Sequence, residues 1–320
     1  MEIFNSTLTQ MFVMFSFIII GFVLKKKKLL PKNSATVLSK LENYVLVPAL
    51  VLDTFMTYCR VDSLKENYNL ILYCLLLLVV GLCIAITLSK PFSKEKSLTE
   101  EEQKYRRNIY KYALTFGNFS FLGNAVVLAV LGDKGLFHYL LFTLPLNVAV
   151  YTWGVIILIP EGNGKKSALK NLLNPVFVSL IAGLVLGLLG AKSILPDFVN
   201  NTIASAKGCM GPVAMILTGF VIGGYNIREL LTKKRVYFAT GLRLVVIPAI
   251  MLLLLKAIGV SDEIMTLAVF AYATPLGLNT VVFPAAYGGD TKTGASMAMI
   301  SHTLAVATMP LMYLLFVVIL

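Results

Sequence analysis

Two short segments of this 320-residue chain combine helix-breaking residues with amide side chains. They comprise Gly117, Asn118, Gly123 and Asn124 in the first segment, and Pro275, Gly277 and Asn279 in the second. Proline removes a backbone donor, glycine lowers helix stability by about 1 kcal/mol, and asparagine competes for backbone hydrogen bonds. Both segments are therefore predicted to interrupt a helix near its middle.

Interrupted helices are suited to binding an anion. Freed N–H groups at the start of a half-helix, together with its dipole, attract negative charge, and asparagine amides add further donors. We therefore predict a site for a small carboxylate, formed by Asn118, Gly123, Asn124, Pro275, Gly277 and Asn279. The alternative is that the asparagines cap half-helices or bridge spans, while the glycines only allow close helix packing.

The composition identifies an integral membrane protein. Only 14% of the residues are charged and the mean hydropathy is +0.81, whereas soluble domains carry about 25% charged residues. Apolar stretches long enough to cross a bilayer, at about 20 residues each, predict ten spans. These lie near 8–24, 36–57, 69–89, 112–131, 136–159, 172–190, 203–224, 236–258, 264–288 and 294–320.

The chain repeats itself, which predicts two halves of five spans each. Leu30-Pro31 followed by Val47-Pro48 recurs as Leu195-Pro196 followed by Gly211-Pro212. Residues 1–160 and 161–320 therefore form two predicted repeats. Because each holds an odd number of spans, the second is inverted in the membrane, and the two broken spans, 4 and 9, occupy matching positions.

Basic residues give the expected orientation. The net charge is +12, and most lysines and arginines fall in loops that follow odd-numbered spans, which the positive-inside rule places in the cytoplasm. We therefore expect a multi-pass plasma-membrane protein with both termini outside. Scattered loop charges favour contact with lipid headgroups and argue against a nucleic-acid partner. The sequence indicates no cofactor and no metal site.

Several motifs, in order along nearly the whole chain, resemble the auxin efflux carrier family, which includes plant auxin exporters and bacterial malonate and malate permeases. They include Val47-Pro48, Gly117-Asn118, Asn174-Pro175, Arg243 through Pro248, Thr274-Pro275 and Gly288-Gly289-Asp290. The resemblance implies a scaffold domain of spans 1, 2, 6 and 7, a transport domain of spans 3–5 and 8–10 in which spans 4 and 9 cross, and a homodimer formed through the scaffold. It also implies transport of small organic anions.

One position departs from the family pattern. Members often have proline shortly after glycine in the first crossover, where this chain has Asn124-Ala125. The first break is therefore expected to be softer than the second.

Ionisable residues inside predicted spans supply candidates for coupling. His302 and Asp53 are candidates for carrying a proton or binding an ion, and Arg243 for neutralising a substrate anion. Arg243 could instead pair with an acid such as Glu42, which is also expected to snorkel to the interface or to pair with Lys40.

Together these features predict an all-α secondary transporter that moves a small organic anion by alternating access, and not an enzyme. A sodium-coupled organic-anion symporter of similar fold is the main alternative. An anion channel and a membrane enzyme are further alternatives. Channels usually have symmetric pore rings, whereas interrupted spans in an inverted repeat favour alternating access. A membrane enzyme would need clustered acids, which the predicted spans do not contain.

Overall fold

The structure is a computed structural model that describes residues 1–93, 98–159, 173–286 and 289–320, and in these residues the chain forms helices and no strand. The main helices are α1 (Glu2–Lys26), α2 (Ser34–Tyr58), α3 (Val61–Leu88), α4 (Glu100–Thr115), α5 (Phe119–Phe142), α6 (Leu144–Leu158), α7 (Pro175–Leu188), α8 (Asp197–Gly223), α9 (Lys234–Ile258), α10 (Asp262–Tyr272), α11 (Asn279–Ala286) and α12 (Thr291–Ile319). Short turns at Lys90–Ser93, Ala191–Ser193 and Ile227–Leu231 lie between them.

Seven of the described helices are long and apolar enough to cross a membrane, namely α1, α2, α3, α5, α8, α9 and α12. Helices α6 and α7 are apolar but shorter. The all-helical membrane class is thus confirmed. The ten-span arrangement in two inverted repeats remains a prediction, as does the division at residue 160, which lies outside the described residues.

Both predicted interruptions are present. Helix α4 ends at Thr115 and α5 begins at Phe119, while α10 ends at Tyr272 and α11 begins at Asn279. The first gap is shorter than the predicted 117–123, because the chain resumes as a π-helical turn over Phe119–Gly123. That turn contains no proline, so each of its residues has a backbone N–H that can form a helical hydrogen bond.

The boundary predicted between spans 4 and 5, at residues 132–135, falls on a break inside α5. Two helical stretches meet at Gly132, whose backbone is not helical, with φ 69° and ψ −170°. Glycine adopts this left-handed conformation without a steric penalty. The apolar stretch 112–131 is therefore not one helix but the end of α4, the gap and the first part of α5.

Helix α8 packs against α1 and α2, and α2 packs in turn against α7. Glycines allow the closest of these contacts. A Cβ added at Gly21 or Gly219 would overlap the backbone of the partner helix at Ile216 or Ile18, respectively. Helices α1 and α8 thus touch through their backbones, as small residues permit in membrane proteins.

Two π-helical turns place buried charged residues. They cover Glu42–Leu46 in α2 and Leu242–Val246 in α9, and each ends just before an Xaa-Pro pair, at Pro48 and Pro248. A wider turn accommodates a proline that can neither donate to the preceding turn nor pack tightly against it. As a result Glu42 and Arg243 lie at the widened part of each helix, and both are buried.

Candidate functional site

The two interrupted segments cross and bond to each other through their backbones. Gly117 and Leu276 form an isolated antiparallel bridge, and the Asn118 N–H donates to the Pro275 carbonyl at 2.7 Å. A Cβ added at Gly277 would stand 3.3 Å from the Gly117 carbonyl oxygen, so glycine permits this approach. Backbone groups freed by the breaks are thereby satisfied inside the protein, as the membrane interior requires.

Neighbouring helices secure the crossing from two sides. The Leu276 N–H donates to Ser301 Oγ of α12 at 3.0 Å. The Tyr139 hydroxyl lies 3.0 Å from two carbonyl oxygens, those of Phe119 and Phe270, so one phenol links the start of α5 to α10. A side chain at Gly123 would collide with this hydroxyl, which makes Gly123 a packing position in this structure.

Asn118 and His302 form a buried polar pair. Asn118 Nδ2 is 3.0 Å from His302 Nε2, and His302 Nδ1 is 2.7 Å from the Ala298 carbonyl oxygen. Because a carbonyl only accepts, Nδ1 carries the proton and donates it to Ala298, while Nε2 accepts from the asparagine amide. The neutral imidazole therefore satisfies both of its nitrogens.

Asn279 opens the second half-helix and donates from Nδ2 to the Tyr112 hydroxyl of α4 at 2.8 Å. Asn118 and Asn279, although far apart in the sequence, line one cavity of about 500 Å³ together with Gly277. Such a volume is typical of small-molecule sites. The two asparagines thus converge on one space.

The cavity is lined by polar groups from four helices, α2, α5, α6 and α11. Besides the crossover residues they include Ser39, Lys40, Asn43, Ser120, Asn147 and Tyr151. Phe119, Ser120 and Phe121, the first residues of α5, also line it, and backbone N–H groups at this position of a helix lack an intrahelical acceptor. Lys40 is exposed, so a cation stands where the cavity meets its surroundings.

Arg243 reaches the crossover from α9. Its Nη1 lies 3.5 Å and 3.4 Å from the carbonyl oxygens of Leu114 and Thr115, at the C-terminal end of α4, and it is 1% exposed. A Cβ at Gly117 would touch its other Nη. A cation at this position balances the negative end of the half-helix dipole. The structure thus brings a basic side chain to the first break, and among the described residues Arg243 does not pair with Glu42.

The remaining predicted residues lie apart from the cavity lining. Pro275 contributes its carbonyl to the crossing, and Asn124 is buried with an Oδ1 that has no partner among the described residues. Asp53 lies toward the other end of α2, where Lys192 and Lys207 bind its two oxygens at 2.7 and 2.9 Å. Lys207 also pairs with Asp133 of α5.

Sequence reasoning missed several lining residues on other helices. Asn43, Asn147 and Tyr151 are isolated polar residues within apolar stretches. Polar groups inside a membrane are rare and usually face a cavity or another helix. That rule, applied to single asparagines as well as to charged residues, would have marked Asn43 and Asn147.

The chain is similar to known membrane transporters. Residues 6–313 match a family described as membrane transport protein. An uncharacterized transporter of Methanocaldococcus jannaschii is 24% identical over 301 residues, covering 92% of this chain and 94% of the relative. The match spans both interrupted segments and every helix that lines the cavity.

Proposed function

Because the chain belongs to the auxin efflux carrier family of membrane transport proteins, we propose that it carries a small carboxylate across the plasma membrane by alternating access. The observation that carries this proposal is the crossing of two interrupted helices beside a cavity lined by Asn118, Gly277 and Asn279. Half-helix ends of this kind bind ionic substrates in other secondary transporters.

The local charges support an anion as the substrate. Lys40 is the charged residue of the cavity lining, Arg243 stands behind the crossing, and the described lining contains no acid. Asn118 and Asn279 donate to neutral acceptors in this structure. Each amide NH2 has a second N–H, from which a carboxylate would accept a charge-assisted bond, about twice as strong as a neutral one, while the existing bond orients the amide.

The cavity is open at one end of the protein and charged groups join the helices at the other, which supports an inward-facing conformation. The cavity meets the surface near Lys40, on the side that the positive-inside rule assigns to the cytoplasm. At the opposite end, Lys207 of α8 joins Asp53 of α2 to Asp133 of α5. We assign this ion network the role of an outer closure between the scaffold (α1, α2, α7 and α8) and the moving helices.

The same proposal includes a homodimer formed through the scaffold. Helix α7 presents an exposed apolar stripe of Val178, Ile181 and Val185. Lipid contact would use the same stripe, so the proposal needs a measurement of mass in detergent or nanodiscs. A single protomer mass at micromolar concentration would contradict the dimer.

Counterflow in proteoliposomes tests the transport function. Vesicles containing the purified protein are loaded with an unlabelled mono- or dicarboxylate, and uptake of the labelled compound is followed with and without sodium at two pH values. We expect internal carboxylate to accelerate uptake, which a channel does not show, and external carboxylates to compete where amines and sugars of similar size do not. Selectivity for a cationic amine would contradict the proposal, and an absolute need for sodium would favour the sodium-coupled symporter.

A further inference from the structure

Glu42 is a buried carboxyl group that has no partner among the described residues. The residue is 0% exposed, and neither side-chain oxygen accepts or donates a hydrogen bond within the described part of the chain. It starts the π-helical turn of α2. Sequence analysis expected it to snorkel or to pair with Lys40, and the structure shows neither arrangement.

The elements packed against this turn bring no cation to it. They are α7, which contains no titratable residue, and α8, whose charged residues are Asp197 and Lys207. Lys207 is bound to Asp53, and a rise of about 1.5 Å per residue places Asp53 about 16 Å along α2 from Glu42. Asp197 lies still farther toward that end of α8.

The charged groups of α2 itself do not compensate Glu42 either. Lys40 is two positions away, a spacing that places side chains on different helix faces. It borders the cavity and is exposed, whereas Glu42 points into the protein. An ionised carboxylate without a partner is very costly in such surroundings, and the group binds a proton instead.

Glu42 is nevertheless close to the substrate cavity. Ser39 and Asn43, its neighbours in the same helix, both line it. π-Helical turns recur at functional sites because they present side chains that a regular helix would not. Movement of the helices across the cavity away from Ser39 and Asn43 would admit water to this turn, and so to a carboxyl that is dry in the present conformation.

We infer that Glu42 is a proton-binding residue, protonated in this conformation and deprotonated in an alternate one, so that carboxylate movement is coupled to proton movement. This inference rests on the proposed transport function. It assigns coupling to a residue other than His302 and Asp53. His302 has both nitrogens bonded in the neutral form, and Asp53 is neutralised by two lysines.

Infrared spectroscopy of the purified protein tests the protonation directly. A protonated carboxyl has a carbonyl stretch that a carboxylate lacks, and we expect wild-type protein at neutral pH to show such a band that Glu42→Gln loses. Glu66→Gln, at an exposed acid on α3, serves as the matched control and should leave the band unchanged. Identical spectra for wild type and Glu42→Gln would overturn the inference. If Glu42→Gln is not monodisperse, Glu42→Asp replaces it, and the expected result is a shifted band.

Transport with succinate as the probe tests the coupling. In Glu42→Gln we expect accumulation driven by a proton gradient to fall to the level measured without a gradient, while succinate counterflow persists. Gradient-driven accumulation at the wild-type level would overturn the coupling role. Failure of wild-type protein to exchange any carboxylate would instead overturn the proposed function, and the infrared band would still report on Glu42 alone.

Discussion

Helix α2 holds two acids in contrasting surroundings. Asp53 lies between Lys192 and Lys207, and its side chain is 6% exposed. Glu42 is also buried, but its oxygens have no partner among the described residues. The same residue class on the same helix is thus compensated by charge in one place and left uncompensated in the other. The comparison teaches that the role of an acid inside a membrane depends on what the neighbouring helices bring to it.

The two ends of the molecule also differ in whether their charged groups are paired across helices. Near Asp53, charges from three helices form an ion network, whereas near Glu42 the cavity reaches an exposed lysine. A carrier with one access path open needs a closure at its other end. We therefore expect substitutions near Asp53 to affect mainly stability and conformational balance, and substitutions near the cavity to affect mainly binding and coupling.

The largest expected effect comes from removing Lys207. Lys207→Ala removes the cation that Asp53 and Asp133 share. Asp53 keeps Lys192, so the loss is that of a hydrogen bond between charged groups, and we expect the free energy of unfolding to fall by about 1.5–3 kcal/mol. Thermal or denaturant unfolding in detergent measures the loss. Lys134→Ala, an exposed lysine at the same end, is the control and should change little. Equal stability of the two variants would contradict the assignment of this ion network as the outer closure.

Glycine at the crossing provides the next test. A Cβ at Gly117 would collide with Thr274 and Arg243, whereas a Cβ at Gly277 would stand at a tight but tolerable 3.3 Å from a carbonyl oxygen. We expect Gly117→Ala to abolish counterflow and Gly277→Ala to reduce it partly. The monodispersity of both variants is checked by gel filtration. Equal activity of the two variants would mean that the segments do not approach as closely as described.

Part of this site was predictable from the sequence. Pro275 and Gly277 predicted the second break, and Gly117-Asn118 the first, because their effect on a helix is local. The partners were not predictable. Arg243 lies at Thr115, 128 positions away, and Lys207 binds Asp53 across 154 positions. Such contacts depend on how helices pack, which hydropathy does not specify, and for the same reason the isolation of Glu42 could not be foreseen.

A smaller effect is expected from His302. Replacing it by Ala removes an acceptor from Asn118, which is one neutral hydrogen bond worth about 0.5–1.5 kcal/mol. Carboxylate affinity should fall by that amount, because the amide loses its orientation. His302→Gln restores an acceptor and should recover most of the affinity. Loss of binding in the Gln variant as large as in the Ala variant would point to the imidazole itself.

The smallest effect is expected at an exposed ion pair. Lys292, at the start of α12, binds Glu229 of the short turn Ile227–Leu231, which lies outside the membrane helices. This hydrogen bond and the charge of Lys292 lower the pKa of Glu229. Because the pKa of Glu229 is lower in the folded than in the unfolded protein, the pair stabilises the fold at pH values above the unfolded-state pKa. This stabilisation is lost as the pH falls through the folded-state pKa. Glu229→Gln should nevertheless leave the unfolding temperature almost unchanged, because exposed pairs contribute little. A loss as large as that of Lys207→Ala would contradict the distinction between buried and exposed pairs.

The central claim is that the anion binds where the two interrupted helices cross. Calorimetric titration of a carboxylate that wild-type protein binds, repeated with Asn118→Ala and Asn279→Ala protein, tests this claim most directly. Each substitution removes a donor to a charged ligand, which should weaken binding by about 1.5–3 kcal/mol, or about 10- to 150-fold. Asn124→Ala, a buried asparagine outside the cavity lining, should retain wild-type affinity. Unchanged affinity in folded Asn118→Ala/Asn279→Ala protein would contradict the claim that the crossing of the two interrupted helices is where the anion binds.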